Sequence, residues 1–145
     1  MLLAPAFGAL IALSYALGWF FLERSFTPRM LTATVYFAVA GTLSAGAGLI
    51  GSQLLSKQRE SARMAAVIIC LIAGTTGFAA LFLTLDIVLT HHRLSEIPIR
   101  ISLIILGISG AGAVYNVLAI AAPLILPLGV PVIALFAVLI ARLPR

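Results

Sequence analysis

The sequence predicts an all-α integral membrane protein: a bundle of five transmembrane helices in one polytopic domain over residues 1–145. Three observations carry that expectation. Hydrophobic residues make up 63% of the 145-residue chain and charged residues only 9%, against about 25% charged in an ordinary soluble domain. The mean hydropathy is +1.23. The charges also stand at the ends of long uncharged runs. Nine basic and four acidic side chains cannot cover a water-facing surface of this size. A soluble globular enzyme, a nucleic-acid-binding domain and a disordered chain are therefore excluded as readings.

The first span is expected over about 2–22. Met-Leu-Leu-Ala-Pro at the start has no basic stretch ahead of the apolar run, so the run reads as a retained helix and not a cleaved signal peptide. Trp19, Phe20, Phe21, Phe26 and Tyr36 gather around the first loop, as an aromatic belt does at a membrane–water boundary. The second span is expected over about 31–55, opened by Thr27-Pro28. That pair suits an N-cap followed by proline at the first helical position. The third is expected over about 64–90, with Ser61 as its cap, and Ser95 with Pro98 starts the fourth.

The last run, residues 101–141, carries no charge. As one helix it would be roughly 60 Å long, about twice the hydrocarbon thickness. Pro123, Pro127, Gly129 and Pro131 stand in its middle, and proline disfavours a regular helix interior. The expectation is a hairpin of spans at about 99–121 and 125–142. The alternative is four spans plus a re-entrant or interfacial segment. Five spans put Arg24, Arg29, Arg93, Arg100, Arg142 and Arg145 on one side and Lys57, Arg59 and Arg63 on the other. The excess of basic residues then places the N-terminus outside and the C-terminus in the cytoplasm. Eight of the nine basic residues are arginine, which fits a GC-rich bacterial gene and hence a bacterial inner membrane.

Lipid supplies no hydrophobic drive between helices, so small residues that let backbones approach must hold a bundle together. Small residues recur every fourth position along Ala4, Gly8, Ala12 and Ala16, along Ala40, Ser44, Gly48 and Ser52, and along Ala62, Ala66, Cys70 and Gly74. The fourth run has Gly107 with Ala111, and Gly112 one turn before Asn116. Gly8, Ser44, Gly48, Ser52, Gly74, Gly107 and Gly112 are the expected packing positions. They would meet within the chain or against another transmembrane subunit or a second copy.

Few side chains can carry chemistry. Asp86 is the one acid inside an apolar run. A charge at bilayer depth costs about 2.5–3.5 kcal/mol or more, so Asp86 is either a proton or cation site or a residue near the boundary, bonded to Thr90 or paired with Arg93. Asn116, beside Tyr115, is a structural amide or a substrate or pigment contact. His91 and His92 with Glu96 resemble a fragment of a metal box, but two adjacent histidines project about 100° apart on a helix and cannot assemble a multi-histidine site. Cys70, the single cysteine, reads as a packing residue, and Glu23 beside Arg24 marks a span end. There is no glycine-rich phosphate loop, no nucleophile–base–acid set and no acidic pair, so no catalytic residue and no metal site is assigned. No cofactor is called for, with a lipid, pigment or haem shared with a partner left open.

The functional expectation is an accessory or assembly subunit of a larger membrane complex, respiratory or photosynthetic by preference, acting by helix packing. The alternative is a small oligomeric transporter or channel with Asp86 and Asn116 lining its path. The expected partners are the bilayer and other transmembrane subunits or further copies, not nucleic acid.

Overall fold

The computed structural model describes residues 2–21, 27–55, 59–91 and 99–142. The elements in order are α1 (Leu3–Phe21), α2 (Pro28–Leu54), α3 (Glu60–His91), α4 (Ile99–Asn116), a π-helical segment (Val117–Ala121) and α5 (Ala122–Ala141). Four helices are long and apolar enough to cross a membrane, and the fourth runs Arg100–Ala141 through α4, the π segment and α5. The start of α2 follows from Thr27-Pro28: Thr27 is extended and its hydroxyl accepts from the Met30 N–H, with proline in the first helical turn.

The expected fifth span is absent, because the proline-rich corner is helical. Pro123, Pro127 and Pro131 all lie within α5, and neither Pro123 nor Gly129 makes a turn. Two physical causes account for the difference. The proline ring's fixed φ is itself helical, so each proline removes one backbone bond without forbidding the helix. In an apolar solvent a turn would leave more backbone groups unpaired than a helix does. Just before the prolines lies the π segment, where the Ala122 N–H bonds the Val117 carbonyl, five residues back. Such bulges and prolines are the usual sites at which long helices bend. With four crossings both termini would share a side of the membrane.

Packing forms a ring. α1 lies on α2, α2 on α3, and α5 closes the ring against α1 and α3. α4 touches α3 within this arrangement and lies outside the ring. The long helix thus changes partner at the π segment: Gly110 of α4 faces Thr84 of α3, whereas Gly18 of α1 lies against the Leu124 carbonyl of α5. The core consists of Phe7, Ile11, Tyr15, Phe37, Leu71 and Phe136 with small residues between them. Phe37 stacks on Tyr15 at 4.8 Å, and Phe7 meets Phe136 at 5.2 Å.

Backbone contact sets the spacing of the ring. A Cβ on Gly8 would strike the Thr42 hydroxyl and the Ala38 carbonyl, and one on Gly41 would come within 2.9 Å of the Gly8 Cα. A Cβ on Gly74 would come within 2.7 Å of the Ser44 Cβ. Gly48 has ordinary contacts to Val67, Leu71 and Cys70 at 3.7–3.9 Å. Ser52 is buried and bonds the Leu49 carbonyl. Gly107 and Gly112 have nothing within 4 Å.

Candidate functional site

Two side-chain hydrogen bonds between helices stand on the α2–α3 seam. The connection between these helices is short, which makes them an antiparallel hairpin. The start of α2 therefore lies near the end of α3. Near the turn-distal end, the Tyr36 hydroxyl donates to the Asp86 carboxylate at 2.9 Å, and the Tyr36 ring stacks on Phe82 at 5.9 Å. Both partners are half-buried. Asp86 thus has a donor on a neighbouring helix, and that donor is neither of the partners its own sequence neighbourhood offers. Arg93 lies outside the described residues. The hydrogen bond from the phenol stabilises and orients the carboxylate.

The second place is deeper. Ser44 donates its one hydroxyl proton to the Gly41 carbonyl at 2.9 Å. It also lies 2.8 Å from the Thr75 hydroxyl. Because the Ser44 proton is already committed, Thr75 is the donor in that bond. The chain Thr75 to Ser44 to Gly41 ties α3 to α2 at the point where Gly74 allows the backbones together and where Gly41 meets Gly8 of α1. One short stretch of α2 therefore holds both seams.

Next to Thr75 is an apolar cavity of about 150 Å³ between α1, α2, α3 and the long helix. Ile11, Phe37, Thr75 and Val117 form its buried floor. The π segment and the proline-bearing helix after it make one wall. Nothing in the sequence alone points to this space, since it arises where the long helix passes from α3 towards α1.

The remaining sequence candidates stand apart from these groups. Asn116 is exposed on α4, outside the ring, and Tyr115 beside it is 68% exposed. Asp86 and Asn116 are therefore not brought together: one is bonded to α2, the other is on an outer face, and neither lines the cavity. Cys70 is half-buried near Gly48 and Gly51. His91 ends α3, while Glu23, His92 and Glu96 lie outside the described residues. Among the described residues there is no group of three or more His, Cys, Asp or Glu that could hold a metal ion. Of the expected aromatic belt, Phe20 and Phe21 are exposed at the end of α1, Tyr36 turns to Asp86, and Phe26 lies outside the described residues.

Sequence reasoning missed Tyr36 as the partner of Asp86. The available signal was coarse: the antiparallel α2–α3 hairpin brings the start of α2 near the end of α3, but a separation of 50 residues in sequence hides the pair.

No protein-family model, curated protein or solved structure matches the chain.

Proposed function

We propose that the four apolar helices span a membrane and that the chain is an accessory or assembly subunit of a larger membrane complex, acting by helix packing. The observation that supports this reading is the state of α4. It packs mainly on α3 and leaves Leu103, Ile108 and Tyr115 outward, beside the open backbone of Gly107 and Gly112. Exposed apolar side chains suit lipid without further explanation. The Asn116 amide does not: in hydrocarbon it needs a hydrogen-bonding partner, and such polar groups join helices at about 0.6 kcal/mol on average. With Gly112 one turn away, the face fits a helix of another subunit. A respiratory or photosynthetic complex remains the preferred setting from the short loops and the abundance of small residues.

The test is purification from the native membrane in mild detergent, followed by native gel electrophoresis and identification of the co-migrating chains. A stable assembly with other polypeptides, lost on Gly112→Ile or Asn116→Leu while the chain itself stays folded, is the expected result. A chain that migrates alone or only with copies of itself overturns the reading.

A further inference from the structure

We infer that the cavity beside the π segment is a side-opening slot that holds one acyl chain of a bilayer phospholipid. This inference rests on the membrane placement of the helices but not on the subunit reading. Its floor is closed: Ile11 and Phe37 are each 1% exposed. Its mouth is on the outside of the bundle, where Ile72 of α3 and Leu126 and Val130 of α5 line the cavity and are 49–55% exposed. In a bilayer that mouth faces hydrocarbon.

The chemistry inside admits hydrocarbon and little else. The lining is aliphatic groups and the Phe37 ring with two threonines, and both hydroxyl protons are committed within the protein. Thr75 donates to Ser44, as the single proton of Ser44 dictates. Thr76 donates to the Ile72 carbonyl at 2.9 Å. The slot therefore offers no free donor. Water in an apolar cavity needs two to four polar partners and stays out without them, whereas a dry cavity of about 150 Å³ accepts an apolar guest of about six carbons. A stretch of acyl chain has that size, carries no polar atom to strand, and is the solvent already standing at the mouth. An isoprenoid tail has the same polarity, but its methyl branch on every fourth chain carbon adds bulk that an unbranched chain does not bring into a space of about 150 Å³.

Phosphatidylcholine vesicles carrying a phospholipid with a photoreactive diazirine in mid-chain test the inference on the wild-type protein, with labelled residues located by mass spectrometry. The exposed faces of α3, α4 and α5 react wherever lipid surrounds the helices, which checks the membrane placement separately. The expected result is labelling of Ile11 and Phe37 as well, despite their burial, and loss of that floor labelling in Val130→Trp and Leu126→Trp, which fill the mouth. Leu135→Trp, on an exposed part of α5 outside the slot, leaves it unchanged. Labelling confined to the exposed faces overturns the slot, and so does floor labelling that the mouth variants do not reduce. Floor labelling by a photoreactive polyprenol but not by the phospholipid overturns the acyl chain as its occupant.

Discussion

Gly74 and Gly77 stand one turn apart on α3, and replacing each by alanine separates backbone contact from helix propensity. A Cβ on Gly77 meets nothing within 4 Å, whereas one on Gly74 falls 2.7 Å from the Ser44 Cβ and 3.2 Å from its Cα. Carbon atoms sit comfortably at about 3.5–4.0 Å, so α2 and α3 must part by roughly 1 Å to admit the Gly74 methyl. That movement stretches the Ser44–Thr75 contact, now 2.8 Å, beyond hydrogen-bond range. Overpacking of this kind costs about 1–3 kcal/mol, and the lost interhelical bond adds about 0.6 and at most about 1.7 kcal/mol. Both variants share the gain of up to about 1 kcal/mol that alanine has over glycine in a helix, so it cancels in the comparison. Gly74→Ala is thus expected to be less stable than Gly77→Ala by roughly 2–4 kcal/mol. Reversible unfolding in mixed micelles of rising dodecyl sulfate fraction, followed by circular dichroism, measures the difference. Stabilities of the two variants within about 0.5 kcal/mol of each other would refute the close crossing at Ser44.

The other crossings give parallel expectations. Gly8→Ala and Gly18→Ala push against backbone carbonyls of α2 and α5 respectively, and each should lower stability by about 1–3 kcal/mol in the same titration, while Gly46→Ala, with open space around it, should not. Tyr36→Phe deletes the donor to Asp86 and should cost about 0.5–1.7 kcal/mol; in Asp86→Leu the same change should cost nothing further, and equal effects of Tyr36→Phe in both backgrounds would dissolve the pair. Pro127→Ala restores a backbone N–H to the Pro123 carbonyl inside α5. It should straighten the helix locally, visible as a changed distance between spin labels at Ser109 and Leu135. An unchanged distance would remove the prolines as a cause of bending.

Much of the architecture is readable from residue pattern because the bilayer makes strong demands. Charged residues clustered over Glu23–Arg29 and Lys57–Arg63 bound the apolar runs, and Thr27-Pro28 marks where α2 begins. The proline cluster misleads for a physical reason. The same three residues that punctuate a soluble helix are tolerated where no water competes for the backbone, and no sequence period announces the π segment at Val117–Ala121. Gly8 and Gly74 lie on small-residue stripes visible in the sequence, yet Gly107 and Gly112 lie on one too and touch nothing within 4 Å. A stripe shows that a backbone can be approached; it does not show by what. The Asp86–Tyr36 bond and the apolar slot both depend on how three or more helices cross, information that no single helix contains.

The path of residues 99–141 decides more than any other feature, since one continuous helix fixes the ring, the outlying α4 and the slot together. The direct measurement is the side of the membrane on which each terminus lies, read by maleimide labelling of single cysteines placed at Leu2, Ser95 and Arg145 in a Cys70→Ala background. A single crossing by that helix puts Leu2 and Arg145 on the same face and Ser95 on the opposite one. Arg145 labelled from the same face as Ser95 would mean that the helix turns back at its prolines, and the four-helix arrangement would be wrong.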